Sequence, residues 1–198
     1  RGLGDVYKRQ VQLQQPLSGK LKLMFNEPIG KFYSIDFDFM EDNDDDLNAR
    51  VEGLKLSKQE DSLLLNNMRI RLEKSIDDSF HVYIIKRARA SSTSDAESFA
   101  EQINFPVQQV DSILNLPLGF VVNDKTKFRN QQIIVLVEVP VGKEIYIDRL
   151  ANNFNWYNIR GGVKGLSVDI DDYYDDISWH PGRWYKMTDA GIERIGGN

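Results

Sequence analysis

The chain contains no cysteine in 198 residues. That excludes a disulfide framework, a thiolate zinc site and a cysteine nucleophile, and it suits an oxidising compartment as well as a reducing one. Histidine is nearly absent too, with only His81 and His180, and no H-E-x-x-H pair occurs. Neither a G-x-S-x-G elbow nor a phosphate-cradling P-loop is present. No stretch approaches the ~18–20 apolar residues of a membrane span, and no signal-peptide pattern is seen, so this stretch of chain is expected to be soluble. Positive charge is not in excess: 25 Lys and Arg face 30 Asp and Glu, for a net charge of −5. That balance argues against a phosphate-binding surface, although local patches can differ, and no nucleic-acid partner is expected. With no motif to hold one, no cofactor, no metal and no small-molecule substrate is expected, and the chain does not read as an enzyme.

What remains is ordinary globular material, 41% hydrophobic and 28% charged, long enough for one substantial core. The dominant stretch is Ile133, Ile134, Val135, Leu136, Val137 and Val139. β-Branched residues fit an extended, buried backbone, so this reads as a central strand. Pro140 and Gly142 stop it in a tight corner. Ile145 and Ile147 then share one face of a second strand, expected to be its neighbour.

Other segments alternate with period two: Leu21, Leu23 and Phe25; Tyr33, Ile35, Phe37 and Phe39; Met68, Ile70 and Leu72. Further short strands are expected at 51–56, 62–65, 80–85 and 107–116. One helix is expected near 94–105, where Ser94 and Glu97 have capping-box spacing and Ala96, Phe99, Ala100 and Ile103 share a face. Pro106 would end it. The resulting pattern, ten to thirteen short strands and one helix, is mainly β. It fits an irregular single-stranded β-solenoid with one short helix, or alternatively a β-sandwich.

Three polar clusters need weighing. The acidic run 41–46 fails the calcium-loop register, because Leu47 or Ala49 stands where Gly is needed, and Gly53 or Lys55 where Glu is needed. A solvated turn is the better reading. Lys86, Arg87 and Arg89 could meet anionic lipid or phosphate, but without a Gly-rich loop a solvated basic edge is the simpler account. Asp169, Asp171, Asp172, Asp175 and Asp176 resemble the carboxylates of a polysaccharide-active enzyme only in number, since nothing fixes two of them across a cleft. His81 reads as a structural histidine. The aromatic tail carries Phe154, Trp156, Tyr157, Tyr173, Tyr174, Trp179, Trp184 and Tyr185. It either caps the core or presents an interaction surface at Trp156, Tyr157, Tyr173, Tyr174 and Trp179.

Residues 1–10, RGLGDVYKRQ, look like adapter read-through and are set aside as a probable non-native segment, leaving 11–198 as a single β domain.

Several segments together are similar to a known family. They are the acidic turn 41–46, the basic segment leading to an Ala-rich helix, Phe128-Arg-Asn-Gln131, the corner Val137-Glu-Val-Pro140-Val-Gly142-Lys143, and the ending Trp184-Tyr-Lys-Met187-Thr188-Asp-Ala-Gly191. Over about residues 20–193 the chain resembles the C-terminal toast-rack domain of long PspC (phage shock protein C) bacterial membrane proteins. The resemblance implies a toast-rack β-solenoid with Pro140, Gly142, Trp184, Met187 and Gly191 as its structural motif and no catalytic residues. It implies a non-catalytic scaffold or sensing domain of an envelope-stress system, working by protein–protein contact. The partners would be proteins of that system, a second copy of the chain among them. The inner membrane would be reached through a part upstream of this sequence. An adhesin-like or carbohydrate-binding β domain, suggested by the Trp and Tyr cluster, is the alternative.

Overall fold

The structure, a computed structural model, describes residues 6–26, 32–34, 55–57, 62–65, 67–88, 90–123, 131–153 and 181–196. In chain order the strands are β1 (Val6–Gln10), β2 (Lys20–Asn26), β3 (Phe32–Ser34), β4 (Lys55–Ser57), β5 (Ser62–Leu65), β6 (Met68–Lys74) and β7 (His81–Arg87). Helix α1 (Thr93–Glu101) follows, then β8 (Gln108–Val110), β9 (Ile113–Pro117), β10 (Phe120–Asn123), β11 (Gln132–Val139) and β12 (Glu144–Ile147). A 3-10 turn at Arg149–Asn153 precedes β13 (Arg183–Thr188) and β14 (Gly191–Ile195). The protein is mainly β with one short helix, as its alternation requires.

The described strands form three open, partly mixed sheets. One has the order β1-β7-β11-β6, a second β10-β5-β4-β3, and the third β14-β13-β12-β2-β9-β8. Two stacks are parallel: β11 on β6, and β12, β2 and β9 side by side. Parallel strands need long crossovers, and here the crossovers run through the other sheets. From β2 the chain passes through β3–β5, then β6 and β7, and returns as β9, parallel to β2. From β9 it passes through β10 and β11 and returns as β12, again parallel to β2. The second circuit lands on the other side of β2, and its β11 lies between β6 and β7 of the first. The two circuits are therefore interlocked.

Period-two alternation aims one face of each sheet at a shared core. Leu21, Leu23 and Phe25 of β2, Ile145 and Ile147 of β12, and Leu114 and Leu116 of β9 meet Met68, Ile70 and Leu72 of β6 and Ile133, Val135 and Val137 of β11. β11 is buried on both faces, since Ile134 and Leu136 join a second cluster with Ile85 and Tyr83. Continuous apolar sequence is what a strand covered on both sides needs.

Three expectations are corrected. β12 is not the neighbour of β11. It pairs with β2 and β13 in the other sheet, because the corner at 140–143 turns the chain from one sheet into the next. The helix cap is Ser92, whose hydroxyl accepts from the Asp95 amide at 3.2 Å. In the run 91–94 each residue can cap, and Ser92 has the acidic residue at the third helical position. The helix also closes at Gln102, before Pro106, with Ala96 and Ala100 buried. Apart from these corrections, Val6–Gln10, within the stretch that looks like adapter read-through, pairs antiparallel with β7 from Val6 opposite Arg87 to Gln10 opposite Tyr83.

Candidate interaction surface

The motif residues of the sequence cluster at one corner. Pro140 is buried, and Gly142 takes φ 83, a left-handed conformation that costs a side chain about 1–2 kcal/mol. The Gly142 amide donates to Met187 O at 2.8 Å, and the Met187 amide donates to Lys143 O at 3.0 Å. The Glu144 amide donates to Gly19 O at 3.1 Å, fastening β12 to the loop before β2. Met187 is buried, and the Thr188 hydroxyl donates to Gly191 O at 2.8 Å across the final hairpin. Pro140, Gly142, Met187 and Gly191 thus hold the sheet-to-sheet corner together. This corner has a structural task and offers no chemistry.

The outer face of the six-stranded sheet is a solvated ladder. Lys20, Glu144, Lys186 and Glu193 stand side by side on four strands, with Lys20 and Glu144 paired at 2.9 Å. In the next row Tyr146 meets Trp184 at 5.5 Å between centroids, and the Lys20 and Lys22 ammonium groups lie 5.4 and 5.8 Å from the Trp184 ring. Alternating charge across neighbouring strands is self-satisfying and gives the face little net field.

The outer face of the β1-β7-β11-β6 sheet differs, because its charges collect toward opposite ends and meet where Arg71 pairs with Glu73 at 2.6 Å. Register places Lys8, Ile85, Ile134 and Arg69 in one row. Gln10, Tyr83, Leu136 and Arg71 form the next, and His81, Glu138 and Glu73 the one after. Arg87 stands opposite Gln132 at the far end. One end is therefore acidic. There His81 Nε2 lies 2.9 and 3.0 Å from the two Asp77 oxygens, and His81 Nδ1 lies 3.3 Å from Gln10 Nε2, so His81 is tied into structure as its isolation suggested. Burial raises the Glu138 carboxyl above its ordinary value, against the pull of His81 and Lys8 and with Glu73 and Asp77 adding to the rise. The Ser79 amide and His81 hold Asp77 below the usual carboxylate range. The other end is basic. Burial, then Arg69 and Arg71, pushes the Arg87 guanidinium below its ordinary value. Between the ends Lys8 Nζ sits 4.0 Å over the Tyr83 ring, above an apolar floor of Ile85, Ile134 and Leu136.

Of the aromatic residues proposed as a surface, Trp156, Tyr157, Tyr173, Tyr174 and Trp179 lie outside the described residues, as do both acidic runs, 41–46 and 169–176, His180 and Arg89. Tyr185 is core and Trp184 is half-buried against Tyr146. Arg69 and Arg71 were visible in sequence only as the polar half of an alternating strand. Their meeting with Arg87 depends on β11 entering between β6 and β7, which no local pattern announces.

No group of His, Asp and Glu among the described residues is arranged to hold a metal ion. A family model described as a toast-rack found in some PspC proteins matches residues 55–193. The chain belongs to this toast-rack family. No curated protein and no solved structure matches it. The toast-rack family is not a known enzyme family.

Proposed function

We propose that this toast-rack domain is a non-catalytic scaffold or sensing surface of a bacterial envelope-stress membrane protein, acting through protein–protein contact. The observation that carries the reading is the family match over residues 55–193. No helix among the described residues is long and apolar enough to cross a membrane. Attachment to the inner membrane would come from sequence outside this chain. We also read the two interlocked circuits as an irregular solenoid, since each returns to the six-stranded sheet parallel to its starting strand. Such a stack offers long, fixed rows of side chains to a docking partner. The separated charges on the β1-β7-β11-β6 face supply direction to that docking, through steering more than through tightness.

The test is deletion of the domain from the full-length protein, followed by an envelope-stress reporter. A blunted response with membrane insertion intact is expected. A full response without the domain would end the proposal. Carbohydrate binding gains nothing from the described aromatic residues, because Tyr185 is core and Trp184 is engaged by Tyr146 and two lysines.

A further inference from the structure

We propose that Arg87, with Arg69 and Arg71 across β11 from it, forms a binding site for a phosphate oxyanion on the outer face of the β1-β7-β11-β6 sheet. Two charged side chains among the described residues are buried, Asp148 at 9% exposure and Arg87 at 7%. Asp148 is satisfied in place: Oδ2 accepts from the Phe25 amide at 3.0 Å and Oδ1 from the Leu150 amide at 3.3 Å. Arg87 is not. Among the described residues its guanidinium has neither a carboxylate nor a hydrogen-bond acceptor, and the charges that act on it are those of Arg69 and Arg71. A buried cation is ordinarily paired, and an unpaired one is expensive. Arg87, buried at 7% exposure on a face that also carries Arg69 and Arg71, makes sense when an anion completes it.

The register shows how the three converge. Arg87 stands opposite Gln132 on β11, and Arg69 stands opposite Ile134 on the far side of the same strand. β7 and β6 are thus about 10 Å apart, a gap that two arginine side chains can close over β11. Arg71 follows two residues on and keeps one nitrogen on Glu73 at 2.6 Å. The floor below is Ile85 and Ile134, 8% and 7% exposed, which excludes water and strengthens any charge interaction above it. Half-buried Gln132, opposite Arg87 on β11, adds a residue with a neutral amide donor at this end. A planar carboxylate matches one guanidinium fork. A tetrahedral phosphate turns oxygens in several directions and accepts from guanidinium groups that arrive from opposite sides.

The experiment is thermal unfolding of the 198-residue chain in inorganic phosphate, against chloride of equal ionic strength. Phosphate at ten times its Kd is expected to raise Tm by about 3–6 °C beyond chloride. Arg87→Met should lose that whole increment, and Arg87→Lys, which keeps the charge without the fork, should retain part of it. Should Arg87→Met fail to fold, Arg71→Gln at its more open position replaces it and is expected to weaken phosphate binding several-fold. Co-sedimentation with vesicles of phosphatidylglycerol in phosphatidylcholine separates the sources. Vesicle binding that Arg87→Met abolishes assigns the site to a lipid phosphodiester, and phosphate stabilisation without vesicle binding assigns it to a free phosphate. The proposal is overturned by a phosphate increment no larger than chloride's, by one that survives Arg87→Met or Arg71→Gln undiminished, or by polyglutamate stabilising where phosphate does not.

Discussion

Truncating Val135 and Leu136 separately to alanine asks which face of the central strand holds the protein together. Val135 is fully buried, with Ile70 and Ile84 beside it in register on the two flanking strands. Val135→Ala removes two methyl groups, about 1.6 kcal/mol at ~0.8 per carbon. Both neighbours are held in a close-packed shared core, so the gap stays open and adds about 1 kcal/mol, for a total of about 2–3 kcal/mol. Leu136 is 5% exposed, on the opposite face, and its apolar company is Tyr83, Ile85 and Ile134. Leu136→Ala deletes three carbons, worth about 2.4 kcal/mol in transfer alone. The flexible Arg71 side chain, in register beside it, can settle into the space, so the net loss should be about 1.5–2.5 kcal/mol. The smaller deletion is thus expected to cost at least as much as the larger. Urea unfolding at constant slope measures both. If Leu136→Ala proved worse than Val135→Ala by more than about 1 kcal/mol, the outer face would be a second rigid core and its assignment as a binding face would be wrong.

The corner and the sheet face each yield a further test. Gly142→Ala adds a Cβ with nothing within 4 Å but at φ 83, so it should lose about 1–2 kcal/mol to backbone strain alone. Gly119→Ala places a Cβ 2.7 Å from Leu65 O, so a larger loss by clash is expected; equal losses by chemical denaturation would refute that division. Glu138 has its carboxyl raised above 4.5 by burial, while facing Glu73, His81, Lys8 and Asp77. A raised acid favours the folded state below 4.5 and loses that contribution as pH climbs through the raised value. Glu138→Gln should therefore be the more stable protein at neutral pH and lack that fall. Asp77, held low by the Ser79 amide and His81, acts oppositely and loses its contribution only as pH drops below 3.8. An unchanged pH profile in Glu138→Gln would show that the cluster does not titrate with folding. Ser92→Ala should cost about 1 kcal/mol, against almost nothing for Ser94→Ala, and far-ultraviolet melts distinguish the two caps.

The elements were legible where burial follows a local period. The alternation of Leu21, Leu23 and Phe25 and of Met68, Ile70 and Leu72 appears unchanged as core-facing positions, because a pleated strand can present its side chains in no other order. The continuous run at Ile133–Val139 announced a central strand, and the structure covers that strand on both faces. What sequence could not supply was pairing. Pro140 and Gly142 told of a corner, but a corner reads the same whether it returns a strand beside its predecessor or throws it into a facing sheet. The first was expected and the second occurs. The helix cap was displaced by two residues for a related reason: several capping residues in succession leave the choice to the packing of Ala96 and Ala100. The basic cluster Lys86, Arg87 and Arg89 reads as a solvated edge for want of a Gly-rich loop, a local criterion blind to residues far along the chain. Placing Arg87 beside Arg69 and Arg71 requires the order β7-β11-β6, which is set far along the chain.

That order also sets the two outer faces apart from the corner that fastens the sheets. The corner at 140–143 and the strand before the final hairpin are tied by main-chain bonds, with Gly142 at φ 83 and Pro140 and Met187 buried. The outer faces carry the freedom. On the six-stranded sheet that freedom is used to cancel charge row by row. On the β1-β7-β11-β6 sheet it is used to separate charge, and the separation depends on interlocking, because β6 and β7 come from the first circuit and β11 from the second. Without β11 the two arginine-bearing strands would have no common floor, since Ile134 supplies it together with Ile85. The basic end is therefore complete only when both circuits are, which couples the formation of that surface to the closing of the core beneath it.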